Sequence, residues 1–219
     1  MIGVRVTVPV ACWRKGHARE YLETESIPPP ATCYGALLSL VGETDADRHA
    51  GARISAGIVR APEKSVVLRS LWQIKDRGAP QGVGQNAGPD YQELLTDAEL
   101  LLWCDSSEEA GPGPTLAQRV VQALTVPAGI TRFGGWSLGE STHLVNDATL
   151  ISEVGTPVAS RSFLLDPDGD LTLPVRVDHV GAAGTSYATG TLVPCSGWPD
   201  PARLPAIPAN QGASRSKSS

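Results

Sequence analysis

Long apolar runs are missing from this 219-residue chain. No stretch of about 18 apolar residues occurs, so the sequence excludes a membrane-spanning helix. The opening residues, MIGVRVTVPV, carry no cationic flank ahead of an apolar core, and no secretory leader is expected. Aromatics are scarce at 5%, whereas 23 Gly and 18 Pro point to many turns rather than long helices. The four cysteines (Cys12, Cys33, Cys104 and Cys195) form neither a C-x-x-C pair nor a zinc spacing. They read as reduced thiols of a cytoplasmic protein. The histidines (His17, His49, His143 and His179) are dispersed, with no H-E-x-x-H pattern, so neither a metal nor another cofactor is expected. A cationic excess is lacking as well: the net charge is −5 at pH 7, which argues against a simple basic nucleic-acid binder.

The distribution of that charge says more than its sum. Residues 1–89 hold 11 Lys and Arg against 8 Asp and Glu, a net of +3, and residues 90–219 hold 7 against 15, a net of −8. A cationic half beside an anionic half suggests one surface for an anionic ligand and another for a different partner. With 41% hydrophobic and 19% charged residues, the chain can bury a substantial core as one large domain or two small ones.

Alternation of Ile2, Val4, Val6, Val8 and Val10 with Gly3, Arg5, Thr7 and Pro9 predicts a first strand. Pro9 lacks a ladder donor and belongs at a sheet edge or strand end. A polar connection over 13–29 leads to a helix over 31–41, where Tyr34, Leu37, Leu38 and Val41 share one face. Pro30 suits its first turn and Gly42 its stop. Strands are expected at 53–58 and 66–75, followed by the excursion DRGAPQGVGQNAGPD (76–90) and a returning buried strand at Glu99–Cys104. Residues 64–104 thus read as a long hairpin with a large polar tip. Leu116, Val120 and Leu124 mark a second helix capped by Thr115. The order strand–helix–strand–strand–helix, with strand material after it, suggests an α+β fold of ferredoxin-like type. Residues 128–195 carry short strand-like runs at Ala159–Leu165, Leu171–Val177 and Ala188–Val193. The Pro-rich stretch from Ser196 to 219 reads as an extended and then disordered tail.

Three motifs offer chemistry. Gly135-Trp136-Ser137-Leu138-Gly139 fits G-x-S-x-G, and Asp147, Asp178 and His179 could complete a triad in chain order. The flanking residues nevertheless make a poor strand and a poor helix, so a glycine-rich loop that contains a serine is the simpler reading. Gly82-Val83-Gly84-Gln85-Asn86-Ala87-Gly88 has the wrong spacing for a dinucleotide loop, and Pro89 stands where a helix should open. A flexible tip whose amides, Gln85 and Asn86 contact a ligand remains open beside plain solvent exposure. Arg14, Lys15, His17 and Arg19, flanked by Trp13 and Tyr21, combine phosphate attraction with stacking surface for unpaired bases. A solvated charged loop is the alternative, since Glu20, Glu23 and Glu25 follow at once.

The run VPVACWRKGHAREYLETESIPPPATCYGALLSLVG resembles the opening of the fifth family of CRISPR-associated proteins, the Cas-five subunit of type I Cascade complexes. There, a first strand ends in an aromatic–Arg pair, and a polar loop then steps through a Pro-Ser/Ala-Thr sequence into a helix ending Leu-x-x-x-Gly. SVVLRSLWQIKDR, PDYQELLTDAELLLW and ITRFGGWSLGESTHLVND extend the likeness over roughly residues 2–150, in the branch called DevS. The resemblance implies a ferredoxin-like (RNA-recognition-motif type) domain over 1–127 with an inserted β-hairpin thumb at about 75–92. A β-rich C-terminal region follows over 128–195. It also implies a non-enzymatic role: gripping the 5′ handle of the CRISPR RNA, capping the Cascade backbone beside the large subunit, and reaching target DNA only through the complex, with no membrane involved. RNA-binding candidates on this chain are then Arg14, Lys15 and Arg19, the thumb residues Lys75, Arg77, Gln85 and Asn86, and Arg132, Trp136 and Ser137 of the glycine loop. One branch of the family cuts precursor RNA without metal through Tyr, Lys and His. Here Tyr34 sits on an apolar helix stripe, and Lys15 and His17 are the only close Lys–His pair, so cleavage is the alternative reading. A serine hydrolase using Ser137 is a second.

Overall fold

The computed structural model describes residues 1–16, 21–72, 75–80, 82–151, 161–178 and 184–209. It is a mixed α+β protein built on one nine-stranded sheet. In chain order the elements are β1 (Ile2–Ala11), β2 (Tyr21–Leu22), α1 (Pro30–Leu40), β3 (Arg53–Arg60), β4 (Glu63–Trp72), β5 (Ala87–Asp105), α2 (Leu116–Thr125), β6 (Asp147–Ile151), β7 (Arg161–Leu165), β8 (Leu171–Arg176) and β9 (Ser186–Pro194). The sheet runs β6-β1-β5-β3-β7-β9-β8, and β2 and β4 pair with β5 off that path. Pro9 lies beyond the reach of β6, which pairs only with Gly3–Thr7, so the missing donor falls where β1 has one neighbour.

The 19-residue β5 is the spine. Along one edge it takes β1 antiparallel, from Ile2↔Cys104 to Ala11↔Leu95, and then β2 at Tyr21↔Tyr91. Along the other it takes β3 and then β4, the latter from Glu63↔Thr96 to Trp72↔Ala87. The changeover is marked by a register shift near Arg60 and by Asp97 at φ 57°, whose carboxylate accepts from Arg60 at 2.6 Å. Side chains of β5 alternate between two cores, as period-2 geometry requires. Leu100, Leu102 and Cys104 join Val4, Val6, Val8, Ile54, Leu37 and Val120 on the helix face. Leu101 and Trp103 face the other way, into a smaller cluster with Leu164 and Leu204. Each fully buried leucine contributes on the order of 2 kcal/mol of burial free energy.

Both helices obey the signals in their sequence. Pro30 occupies the first turn of α1, and the helix stops in a Schellman arrangement, with Glu43 N–H donating to Leu38 O (2.9 Å) and Gly42 N–H to Ser39 O (3.2 Å). Gly42 sits at φ 69°, and a Cβ there would fall 2.0 Å from the Thr131 carbonyl, so only glycine fits. Thr115 caps α2 in a reciprocal box with Gln118. A partly buried polar chain joins the helices: Arg119 donates to Glu43 (2.5 Å), to the Val41 carbonyl (3.1 Å) and to His49 Nε2 (2.9 Å), and His49 Nδ1 donates to Glu109 (2.8 Å). Glu109 in turn accepts from the Leu116 amide at the start of α2.

The Pro-rich stretch departs from expectation over 196–209. Leu204 and Ile207 are buried, Ala206 bridges to Arg53, and Trp198 stacks at a tilt on Trp103 with ring centroids 5.3 Å apart. Pro201 opens a 3₁₀ turn over Pro201–Arg203, and the apolar residues of the stretch cover sheet surface that would otherwise be wet. The expected disorder of 210–219 lies outside the described residues. β6 and β2 are short, and no clear pattern in the sequence marks them.

At the hairpin tip the fully buried Asn86 closes the loop. Its Oδ1 accepts from the amides of Lys75 (2.9 Å) and Asp76 (2.8 Å), and its Nδ2 donates to the carbonyls of Asp76, Ala79 and Pro80. Asn86→Ala should therefore speed amide exchange at Lys75 and Asp76 roughly tenfold while the melting of the whole chain moves little. Unchanged exchange would remove the lock.

Glu43 gives a pH prediction. The Asp45 amide first, and then the Arg119 guanidinium, hold its carboxyl down at about 2, against 4.5 unperturbed. Its stabilisation is complete above pH 4.5 and is lost as the pH falls through about 2. Glu43→Gln should flatten that part of the acid-unfolding curve followed by circular dichroism. A curve matching wild type would exclude the carboxylate.

Candidate nucleic-acid interface

Three features converge around the end of β1. The chain leaving that strand is bolted down by Trp13, which is buried: its amide donates to Thr24 Oγ1 (2.9 Å) and its indole N–H to the Leu138 carbonyl (3.2 Å). Beyond it, Arg14 bridges to Thr24 and the Lys15 amide donates to the Glu23 carbonyl (3.0 Å), so both cations sit on a pinned return. Arg14 is exposed and Lys15 half-buried, its ammonium 3.7 Å from Glu23. They line a cleft of about 650 Å³ together with Glu23, Glu25, Thr172, Pro174, Asp178 and Tyr187. Tyr187 is half exposed, at 52%, and its hydroxyl stands 4.0 Å from where a Cβ on Gly16 would be. Burial pushes the carboxyl of Glu25, at the foot of the cleft, upward despite Lys15 nearby. Arg19 and His17 lie outside the described residues.

The glycine loop, 130–139, forms the second feature. Trp136 is buried, and its indole N–H donates to the Ala36 carbonyl at 2.8 Å. Its ring is spent anchoring the loop on α1, which removes it as a base-stacking surface. Arg132 is exposed. Ser137 bridges to Leu144 and reaches a cleft of about 430 Å³ shared with Tyr34, Gly35, Ser39, Arg176 and Val177. No helix follows Ser137; the chain turns through Glu140–His143 and comes back beside it, with the Leu138 amide donating to the His143 carbonyl. The strand–turn–helix geometry that would raise a nucleophilic serine is absent around Ser137; His179, the histidine of the candidate triad, lies outside the described residues. Tyr34, the acid–base candidate of the cleavage reading, is buried. Burial drives its phenol upward, and the hydroxyl donates to the Ala46 carbonyl at 3.0 Å.

The hairpin supplies the third. Lys75, Arg77 and Gln85 are exposed at its tip, whereas Asn86 is consumed by the loop and cannot reach a ligand. Residues 87–92 of the expected thumb are strand rather than tip. At the hairpin base, fully buried Gln92 accepts from Arg69 and donates to Glu140 (2.8 Å), and Arg69 also reaches Glu140 (3.1 Å), which ties the hairpin to the glycine loop. His143 stands 4.0 Å from Glu140, and burial lowers its imidazole. Glu93 is penalised by burial, yet the Thr24 amide and Lys64 hold its carboxyl below the usual range. Sequence reasoning passed over Tyr187, Gln92 and Glu140, which are far apart in the chain. It also passed over Phe133, an aromatic between Arg132 and two glycines that is 86% exposed. Among the described residues no group of three or more His, Cys, Asp or Glu could hold a metal ion, and no helix is long and apolar enough to cross a membrane.

No family model matches the chain. A CRISPR-associated protein Cas5 of Myxococcus xanthus (strain DK1622) is 55% identical over 213 residues, covering 97% of this chain and 100% of the relative. Among solved structures, a chain of a CRISPR RNA-guided surveillance complex superposes with a TM-score of 0.59 at 13% identity, covering 89% of this chain and 90% of that one. A second, described as a Cas protein, gives a TM-score of 0.52 at 14% identity, with 94% and 98% covered. The structural likeness at that identity speaks for the fold, and the sequence identity, held over nearly the whole length of both proteins, shows that this chain belongs to the Cas5 family of CRISPR-associated proteins.

Proposed function

We propose that this chain is an RNA-binding structural subunit of a type I CRISPR surveillance complex, holding the 5′ handle of the CRISPR RNA and capping the complex's backbone beside the large subunit. The observation that carries the RNA part is the cleft at the end of β1, a space of about 650 Å³ that Arg14 and Lys15 line together with Tyr187. Cations for phosphate and a ring for stacking are what unpaired RNA requires. The sheet order β6-β1-β5-β3, with α1 and α2 packed into one core, supports a ferredoxin-like, RNA-recognition-motif reading of residues 1–127 whose edge strand, β6, comes from beyond that bound. The opposite sheet face is covered around Trp103 by Trp198 and Leu204, which favours binding at loops and clefts over that face.

The hairpin of β4 and β5 is read as the thumb. Lys75, Arg77 and Gln85 at its tip suit RNA, and Val66, Leu68, Tyr91 and Tyr21, which share one face and are each at least 41% exposed, suit a neighbouring protein subunit. Target DNA is then met through guide pairing in the assembly. Binding rather than cleavage is the favoured chemistry, because Tyr34 is buried with its hydroxyl committed.

The test is a titration of the purified full chain with labelled repeat-derived RNA in EDTA. Wild type should bind the processed handle and leave the RNA intact. Arg14→Ala and Lys15→Ala should each weaken binding and lower the slope of log affinity against log salt by about 0.7 for every phosphate no longer neutralised. Unchanged affinity and slope in both variants would remove this cleft as the RNA face, and specific cutting would replace binding by metal-independent ribonuclease chemistry.

A further inference from the structure

Phe133 is the most exposed large apolar side chain among the described residues, at 86%. The loop that carries it is held on both sides. Upstream, the Thr131 carbonyl packs against Gly42 so closely that a Cβ there would lie 2.0 Å away. Downstream, Trp136 is hydrogen-bonded to Ala36 of α1. Between these anchors, Gly134 takes φ 71°, and a Cβ on Gly135 would fall 2.7 Å from Leu144. The left-handed turn at Gly134 suits glycine, and the loop holds the ring out in water, where a large apolar group has no packing role of its own.

The ring stands at the rim of a cleft of about 250 Å³ floored by Gly35, Leu38 and Ser39 of α1, with Glu43 and Thr44 beyond. Those three floor residues also line the cleft of about 430 Å³ that contains Ser137 and Arg176, so the two clefts are one trough crossing α1. At the crossing, a Cβ on Gly35 would meet nothing within 4 Å. The trough reaches Val177, which also lines the cleft of Arg14, Lys15 and Tyr187. An exposed aromatic thus stands at one end of a run of clefts linked by shared lining residues, and a cation pair with a second exposed aromatic stands at the other.

Cations stand at both ends of the path, although Arg14 and Lys15 share their cleft with Glu23, Glu25 and Asp178. Arg132, adjacent to Phe133, is exposed. The Glu43 carboxylate is already matched by Arg119 and by the amides of Thr44 and Asp45. Arg176 is paired with Asp47 at 2.7 Å, and Glu23 with Lys15. At the crossing itself, Gly35 and Ser39 let a sugar-phosphate backbone approach the helix closely.

Resting on the RNA-binding reading above, we infer that Phe133 stacks on an unpaired base of the bound RNA and that the strand then crosses α1 over Gly35 toward Arg14 and Lys15. Stacking requires only a ring face, so this contact is tolerant of base identity and releases no counterion of its own.

The experiment uses the full chain and fluorescein-labelled single-stranded repeat RNA, intact and with one abasic position moved along it, followed by anisotropy. Phe133→Ala should weaken binding about tenfold with the salt slope unchanged, and Phe133→Trp should restore it. One abasic position should cost wild type the same factor and cost Phe133→Ala nothing further. Gly35→Leu should weaken binding while its thermal melt stays at or above that of wild type, because the new side chain enters open space and glycine is the poorer helix former. If wild type binds and both Phe133→Ala and Gly35→Leu bind equally well, this path is wrong while the RNA reading stands. A Phe133→Ala variant that keeps RNA affinity but loses association with a partner subunit would make the ring a protein-docking group and overturn the proposal. Absence of binding by wild type would overturn the RNA reading, and this site with it.

Discussion

Everything in this molecule hangs on β5 having neighbours on both edges along most of its length. A strand of 19 residues is far longer than the usual five or six, and left half-paired it would present a long row of unmet amides and carbonyls. Here β1 and then β2 satisfy one edge, and β3 and then β4 the other. The body of the sheet and the protruding hairpin therefore share a single continuous backbone. That continuity fixes where Arg14, Lys15 and the glycine loop come together, because β1 is held in register by β5 from Ile2 to Ala11. The Arg69–Gln92–Glu140 bonds then tie the foot of the hairpin to the same region.

Much of this was legible in the sequence, and the reason is local. Val4, Val6 and Val8 alternate strictly, Pro30 and Gly42 bracket α1, and Thr115 announces α2; each signal acts within a few residues of where it is written. What escaped notice depends on distant partners. Trp136 looked like a stacking residue because nothing nearby shows that its indole N–H is taken by Ala36, 100 positions earlier. Asn86 looked available because an amide in a glycine-rich loop gives no sign that backbone groups from both sides of the loop will close around it. β6 is five residues whose exposure follows no clean alternation, and it is stabilised by β1 rather than by its own pattern. The tail misled for the opposite reason. Its prolines suggested disorder, yet Leu204 and Ile207 find sheet surface to cover.

The candidate site follows the same division. The cationic positions Arg14, Lys15 and Arg132 were visible as residues of a useful type in polar loops. The rings that would accompany them, Tyr187 and Phe133, were not, since an aromatic in a short sequence pattern is most simply assigned to a core. Only their exposure, at 52% and 86%, separates them from Trp13 and Trp103, which are sealed inside.

The pairing of β4 with β5 also restricts how the hairpin could vary in length. Opposed residues share a face, so Leu68 with Tyr91 lies on one side and Val67 with Gln92 on the other. Adding or removing a single residue in either arm would turn the outer part of the arm over, carrying Tyr91 away from Tyr21 or Gln92 away from Glu140. Length can change by pairs of residues matched in both arms, or within the tip, where no ladder keeps count. The arms thus behave as a ruler graduated in steps of two, and natural variation in reach should be confined to those marks and to the loop beyond them.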